Sequence, residues 1–333
     1  MVALPLFAAA FFASVQGPSY KVIQRIPIGG EGGWDYLTMD SPAHRLYISR
    51  GTHVMVLDVN SGKLVGDIPN TAGVHGVAIV SRLGKGYTSN GRDNTVTVFD
   101  LKTLKELKRI PVGNRPDAIW FDSASGRIFT FNGGSSDATA IDARSDAVAG
   151  TVQLDGKPEF PQTDGKGALY VNIEDKSEIQ KLDTRTLKVT GSWPLAPGEE
   201  PSGLAFDVKD GLLFSTCSNG QMTISDVKAG KVVGAPKIGE GPDAAAFDPK
   251  LSLAFSSNGQ DGTVTVIGKG AGGAWESLQT VTTQTSARTM ALNTTSHRLY
   301  LIAAEFGPAT DPNARRRPMV PNSAVILVLA PDR

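Results

Sequence analysis

The chain has 333 residues, and its 33 lysines and arginines balance 33 aspartates and glutamates. A net charge of zero excludes the broad electrostatic attraction that draws basic proteins to nucleic acid or anionic membranes. Its single cysteine, Cys217, excludes an intramolecular disulfide and a thiolate metal cluster. The place of Cys217 late in an apolar run predicts a buried residue.

The first 19 residues differ from the rest of the chain. Residues 5–13 are apolar, and small or polar residues follow from 14 to 17. This order resembles the apolar region and cleavage zone of a secretory signal, although no basic residue precedes Lys21. The run is too short to span a bilayer, and no later segment is suited to do so. We therefore expect residues 1–19 to be a signal peptide or an N-terminal arm, and the protein to be periplasmic or secreted.

From residue 20 to 330, one sequence motif repeats about every 42 residues: an aromatic residue, a few small or polar residues, and then a run in which apolar residues alternate with others. Successive aromatic residues are 40, 42, 41, 44, 41 and 45 positions apart, at Tyr47, Tyr87, Phe129, Tyr170, Phe214, Phe255 and Tyr300. Alternating runs between polar turns predict four half-buried strands in each repeat. Seven such repeats predict one all-β domain, a seven-bladed β-propeller of four-stranded antiparallel blades.

The seventh repeat is one strand short. Residues 323–329 match a third strand, and no fourth strand follows them, whereas residues 20–26 match an outer strand. We expect this N-terminal strand to complete the last blade, because closure of the ring protects sheet edges that an open array would expose.

Aspartate recurs at one position, in the turn after the third strand of five repeats: Asp58, Asp100, Asp142, Asp183 and Asp226. An aspartate there accepts backbone N–H bonds in an Asx turn, so we interpret the five as structural. His44 and His297, each in a His-Arg-Leu-Tyr phrase, are interpreted as turn residues on the opposite face.

A polar residue stands at the start of every innermost strand. These seven residues, here called the inner ring, are Asp35, His75, Asp117, Glu159, Ser202, Asp243 and Arg288. In a propeller the starts of the innermost strands surround one mouth of the central channel, so we expect the inner ring to face a common space.

The inner ring admits several kinds of site. Its carboxylates with water suit a hard cation such as Ca²⁺, and with the imidazole they suit a transition metal. The candidate metal ligands are Asp35, His75, Asp117, Glu159 and Asp243. Alternatively, Arg288 clamps an anionic substrate while His75 or Glu159 acts as a general base, which makes these three the candidate catalytic residues. A solvated polar funnel without a ligand is the remaining interpretation.

Loops between the second and third strands open on the same face and add Arg50, Glu174 and Glu305 as candidate ligand-binding residues. The seventh repeat also carries an insertion, residues 306–321, with four prolines and three consecutive arginines that include Arg316. Long loops on a rigid scaffold are often functional. We expect the insertion to lie over the channel, where it gates the funnel or offers Arg316 to an anion; a solvated surface loop is the alternative.

Two repeats carry a recognisable motif. Tyr87-Thr88-Ser89-Asn90 and Phe255-Ser256-Ser257-Asn258 are each followed by an alternating strand and a turn, and Ile-Pro phrases stand at Ile26, Ile68 and Ile110. Over about residues 20 to 330 the chain resembles the exported bacterial YVTN-repeat (YncE-like) seven-bladed propellers. This resemblance implies a periplasmic or surface binding protein. Related seven-bladed folds include lactonases and lyases.

The sequence favours a binding protein over an enzyme. It contains no Gly-x-Ser-x-Gly, Walker, His-Glu-x-x-His or EF-hand motif. We expect a monomeric exported propeller, without nucleic-acid partners, that binds a small ligand, an ion or a protein at the channel mouth. A divalent cation is the candidate cofactor. The alternative is a lactonase- or lyase-like enzyme that acts on a small anionic substrate in the funnel.

Overall fold

The computed structural model describes residues 17–308 and 317–332. Its strands form seven four-stranded sheets, and every pair of neighbouring strands within a sheet is antiparallel. The sheets pack side by side around a central channel, with the innermost strand of each sheet against that of the next. The predicted seven-bladed β-propeller is confirmed.

The strands follow the chain in order, from the innermost to the outermost strand of each blade. The first strand, β1 (Tyr20–Pro27), belongs to the last blade. Blades one to three contain β2 (Leu37–Asp40), β3 (Arg45–Ser49), β4 (Val54–Asp58), β5 (Lys63–Ile68), β6 (Val74–Val80), β7 (Lys85–Asn90), β8 (Thr95–Asp100), β9 (Glu106–Pro111), β10 (Pro116–Asp122), β11 (Arg127–Asn132), β12 (Asp137–Asp142) and β13 (Ala147–Gln153). Blades four to six contain β14 (Pro158–Thr163), β15 (Ala168–Ile173), β16 (Glu178–Asp183), β17 (Lys188–Pro194), β18 (Pro201–Asp207), β19 (Leu212–Cys217), β20 (Gln221–Asp226), β21 (Lys231–Gly234), β22 (Pro242–Asp248), β23 (Leu253–Asn258), β24 (Thr263–Lys269) and β25 (Trp275–Thr282). Blade seven contains β26 (Met290–Asn293), β27 (Arg298–Ala303), β28 (Val325–Pro331) and β1.

Two short 3₁₀ turns, Ser81–Leu83 and Glu174–Lys176, are the helical elements of the described residues. Within that part of the chain, no helix is long and apolar enough to cross a membrane.

The ring closes as the sequence predicts. Strand β1 pairs with β28 from Tyr20↔Pro331 to Pro27↔Val325. The Tyr20 hydroxyl donates to the His297 carbonyl oxygen at 3.0 Å, and the Tyr20 ring meets the edge of Phe255 with centroids 5.0 Å apart. The N-terminal strand is therefore packed into the interface between blades six and seven as well as hydrogen-bonded to its own blade.

The repeated aromatic residue lies between blades. All seven are buried, with at most 3% of their surface exposed. Several contact an aromatic residue of the next blade: Tyr47 lies 6.0 Å from Phe99, and Phe214 stacks on Phe247 at 5.2 Å. Burial of a large ring at each interface explains why the repeat keeps an aromatic residue at this position.

Every outermost strand carries a β-bulge at the same place, which the sequence did not predict. The ladder skips one residue in each: Ile23, Val65, Leu107, Ala149, Thr190, Val233 and Leu278. A bulge bends and twists an edge strand, which hinders pairing with another chain. The outermost strands of all seven blades are thereby protected from pairing with a strand of another chain.

The structural assignments made from the turns are confirmed. Each turn aspartate accepts a backbone N–H three residues ahead, as Asp100 does from Thr103 at 2.7 Å. His44 and His297 have positive φ angles of 56° and 58° in their turns. Cys217 is fully buried, and this burial raises the pKa of its thiol to about 11.

A tyrosine pair tests the contacts between blades. The Tyr87 hydroxyl lies 2.8 Å from Asp146 Oδ1 and 3.0 Å from the Ala143 carbonyl oxygen, both in blade three. We expect Tyr87→Phe to lower the free energy of unfolding by about 1–2 kcal/mol, because it removes two hydrogen bonds between blades two and three, although Lys85 still donates to both acceptors. Tyr170→Phe, at the same position of blade four, removes a hydroxyl that bonds to no described residue and should change stability by less than about 0.5 kcal/mol. Equal effects in urea unfolding would contradict the assignment.

Candidate functional site

A second set of bulges presents the inner ring to the channel. In blade two the ladder pairs Val74 with Asn90 and then Val77 with Thr88, so His75 is skipped. The same shift occurs at the ring residue of the next four blades. In blades one and seven the innermost strand begins only at Leu37 and Met290, after the ring residue. Bulges redirect side chains, so the ring residues of these five blades are released from the ladder, whereas those of blades one and seven precede it.

The backbone of the ring is held by side chains of adjacent blades. Thr289 Oγ1 donates to the Asp35 carbonyl oxygen at 2.8 Å, and Ser257 Oγ donates to that of Arg288 at 2.5 Å. Ser89 donates in the same way to Asp117, and Asn172 donates to Ser202 at 3.0 Å. The backbone of these four ring residues is therefore fixed in place before any ligand binds.

His75 lies between two carboxylates. Its Nδ1 atom is 2.5 Å from Asp35 Oδ2 and 3.5 Å from Asp117 Oδ1. Burial lowers the pKa of His75, but the hydrogen bond to Asp35 and the charges of Asp117, Asp35 and Glu159 outweigh it, so the pKa is raised. The imidazole therefore stays protonated to a higher pH than a free histidine.

Arg288 joins the first and sixth blades. Its guanidinium forms ion pairs with Asp243 and, at 3.3 Å, with Asp35, and it donates to the Trp34 carbonyl oxygen at 2.8 Å. Burial raises the pKa of Asp243 to about 6, against the lowering effect of Arg288. Asp35 thus has two cationic partners, His75 and Arg288.

Lys157 is a site residue that the sequence analysis missed. Its ammonium lies 2.8 Å from Glu159 Oε1 and also forms an ion pair with Glu174. Burial, and then the charge of Asp117, raises the pKa of Glu159 to about 8, although Lys157 opposes the shift. The sequence does contain a signal for this residue, a basic side chain two positions before the ring carboxylate of two successive repeats. Lys157 precedes Glu159 in this way, and Arg115 precedes Asp117.

Several of these residues line a cavity of about 570 Å³, here called the mouth, whose lining does not include Glu159 or Asp243. The charged and aromatic residues that line it are Trp34, Asp35, His75, Arg92, Arg115, Asp117, Lys157 and Arg288. Arg92 and Arg115 are exposed, and among the described residues neither guanidinium has a hydrogen-bond or ion-pair partner. The carboxylates are already paired with cations of the protein, so the unpaired charge at the mouth is cationic.

Three of the five candidate metal ligands are brought together. Ligand atoms of Asp35, His75 and Asp117 all lie within 4.8 Å of one another. Glu159 and Asp243 are instead engaged by Lys157 and Arg288. The arrangement supplies one imidazole and two carboxylates, a donor set suited to a transition metal more than to Ca²⁺.

The remaining predicted residues lie away from this cluster. Arg50 is 1% exposed and donates to the carbonyl oxygens of Gly29 and Glu31 at 3.3 and 3.1 Å, so it holds the chain between blades seven and one. Ser202 donates to the Pro242 carbonyl oxygen at 3.3 Å. Glu305 is exposed, and its backbone N–H bonds to Ser323 at 3.0 Å. Arg316 lies outside the described residues.

The two described ends of the insertion pair as a short stem beside the mouth. Phe306 bridges Met319, and the Val320 N–H donates to the Glu305 carbonyl oxygen at 2.8 Å. The Phe306 ring lies 6.0 Å from that of Trp34. A cavity of about 1050 Å³ lies between the stem and the inner ring and shares Trp34 and Arg288 with the mouth. Residues 309–316 of the insertion are outside the described part.

Comparisons with known proteins support the fold. A solved structure described as Kuenenia stuttgartiensis hydrazine synthase superimposes with a TM-score of 0.70 and 17% sequence identity, over 89% of this chain and 95% of that chain. No family model matches the chain, and no curated protein matches it. At this identity the likeness shows a shared propeller fold and nothing of the chemistry at the mouth.

Glu159 should make stability depend on pH. Its pKa of about 8 exceeds the ordinary value of 4.5, so the folded protein holds a proton that the unfolded chain has released between these values. Its contribution to the free energy of unfolding is complete below about pH 4.5 and is lost as the pH rises through about 8. We expect Glu159→Gln to become progressively more stable, relative to wild type, from pH 5 to about 9.

Thermal unfolding across this range measures the difference. Glu174→Gln is the matched control, because it removes the other carboxylate from Lys157. Because the charge of Glu174 is the smallest of the named causes of the raised pKa of Glu159, its offset from wild type should change much less over the range than that of Glu159→Gln. A Glu159→Gln curve that runs parallel to wild type would refute the assignment.

Proposed function

We propose that the chain is an exported, monomeric propeller of YVTN-type repeats that binds a small ligand at the mouth. The observation that carries this is the Asp35–His75–Asp117 cluster at the base of a cavity of about 570 Å³. Buried, interacting ionisable groups concentrate at functional sites. The sequence repeats support membership of the YVTN family, and the apolar residues 5–13 support export.

A divalent cation is the first ligand to test. The cation would replace the proton on His75 Nδ1. Carboxylate oxygens of Asp35 and Asp117, which lie 2.5 and 3.5 Å from that nitrogen, would coordinate it as well. Imidazole favours Zn²⁺ or Cu²⁺ over Ca²⁺. Because a cation competes with a proton, its affinity should fall at acidic pH.

Purified protein stripped of metal tests this version. We expect Zn²⁺ or Cu²⁺ to raise the Tm. At a cation concentration of 100 times the Kd, the free energy of unfolding should increase by about 2.7 kcal/mol, and Ca²⁺ should have a smaller effect. His75→Ala and Asp117→Asn should abolish the shift, whereas Glu174→Gln should retain it. Absence of bound metal in elemental analysis after incubation with each cation and removal of the excess, with no Tm shift for any cation, would overturn the cation version.

A second candidate is an enzyme that acts on a small anionic substrate. It is favoured by the Glu159 carboxyl, whose pKa of about 8 suits a general acid or base near neutral pH. Arg92 and Arg115 line the mouth, and their guanidinium groups, which pair with no residue in the described part of the chain, suit a carboxylate or phosphate. The substrate would then be held by these arginines and by Arg288 while Glu159 or His75 transfers a proton.

Turnover of a panel of carboxylate-bearing lactones tests this candidate. We expect Glu159→Gln to lower kcat by at least about 100-fold, because general acid–base catalysis contributes about 10²–10⁴-fold. In wild type, kcat/KM should change with a group of pKa about 8. Glu174→Gln should remain active. Turnover that survives both His75→Ala and Arg288→Ala would exclude this mechanism.

A further inference from the structure

The channel is divided into two compartments. Tyr36 and Phe160 follow the ring residues Asp35 and Glu159 directly, and their rings lie 4.3 Å apart between centroids. Below them is a separate cavity of about 460 Å³, here called the lower chamber, which follows the innermost strands towards the opposite face. Burial, together with the nearby ring carboxylates, raises the pKa of Tyr36 well above its ordinary value, so the partition is neutral.

The wall of the lower chamber is apolar and aromatic. Its large side chains include Met39, Trp120, Phe121, Phe206, Phe247 and Leu292. Among the described residues that line it, none carries a carboxylate, an amine, a guanidinium or an imidazole. This contrasts with the mouth, where most of the large lining side chains are charged.

The position of these side chains follows from the strand geometry. Trp120 stands three residues after Asp117, and Phe206 and Phe247 stand four after Ser202 and Asp243. At about 3.3 Å per residue, they form a layer roughly 10–13 Å below the inner ring. Different blades therefore supply aromatic side chains to one level of the wall, where Phe206 and Phe247 also pack on Tyr170 and Phe214 of the preceding blade.

The side-chain donors described in the wall of the lower chamber are already engaged. The Gln162 amide donates to the Leu204 carbonyl oxygen at 2.8 Å, and the Thr38 hydroxyl donates to that of Val77 at 2.8 Å. These donors are engaged by the chamber wall itself. The channel-facing edges of the innermost strands still offer backbone groups to water, so an apolar molecule gains mainly by covering the apolar side chains of the wall.

We propose that the lower chamber is a second binding site, separate from the mouth, for a neutral, planar, largely apolar small molecule. A volume of about 460 Å³ lies within the usual range of ligand sites, about 300–1000 Å³. The uncharged wall selects against a charged ligand, because an ion would be desolvated without a partner. The ligand enters from the face opposite the mouth, where exposed Thr294 lies at the edge of the chamber.

The first test is a matched pair of probes, 1-naphthol and 1-naphthoate, with the full-length protein in isothermal titration calorimetry. We expect 1-naphthol to bind with a stoichiometry of one and to quench tryptophan fluorescence. The quenching should persist in Trp275→Phe and disappear in Trp120→Phe, since only Trp120 of the two lines the chamber. 1-Naphthoate should show at least tenfold weaker quenching of Trp120.

The second test obstructs the chamber. Thr294→Trp at its edge and Ala245→Phe in its wall should each weaken 1-naphthol binding at least tenfold. Thr295→Trp, the exposed neighbour outside the lining, should leave binding unchanged. Because Thr294 is exposed, its replacement should not prevent folding if Ala245→Phe does.

The proposal is overturned if 1-naphthol does not bind, if the quenching persists without Trp120, or if Thr294→Trp and Thr295→Trp bind equally well. Each of these results leaves the proposed function of the mouth intact, since the two cavities share no lining residue.

Discussion

The pairing of β1 with β28 is the constraint on which the rest of this structure depends. It joins the first strand of the chain to the last and turns an array of blades into a ring without free ends. It also completes the site. Asp35 lies in blade one and Arg288 in blade seven, and their ion pair and the Thr289–Asp35 hydrogen bond exist only because these blades are adjacent. Loss of closure would therefore open the mouth as well as the fold.

Bulges serve two purposes at the two sides of each blade. On the outermost strand they disturb an exposed edge, and on the innermost strand of five blades they turn the ring residue into the channel. The released side chains are then paired with one another. Each ring carboxylate has an imidazole, guanidinium or ammonium group nearby, which compensates for burial of four acids in one space. A ligand at the mouth must therefore compete with these internal pairs or use Arg92 and Arg115, which have no partner among the described residues.

The two compartments of the channel differ in the physical force available for binding. At the mouth, charge and hydrogen bonding dominate, so ligand binding there should depend on pH and salt. In the lower chamber the main favourable term is removal of apolar surface from water. The Tyr36–Phe160 partition keeps the two environments apart, since it places aromatic rings between charged groups and an uncharged wall.

The sequence repeats allowed much of the fold of this protein to be predicted. The period of about 42 residues determined the seven blades, the missing fourth strand determined the closure, and the phase of the repeat identified both the turn aspartates and the inner ring. These features depend on local hydrogen bonding and on alternation along single strands. The tertiary structure decided which charges meet. Asp35 and Arg288 are 253 positions apart, Lys157 reaches Glu159 and Glu174 from a loop, and Arg50 is buried between blades although its position in the repeat suggested a loop at the mouth. Such contacts, and the compartments they enclose, depend on how side chains of different blades pack across a channel, which no single repeat encodes.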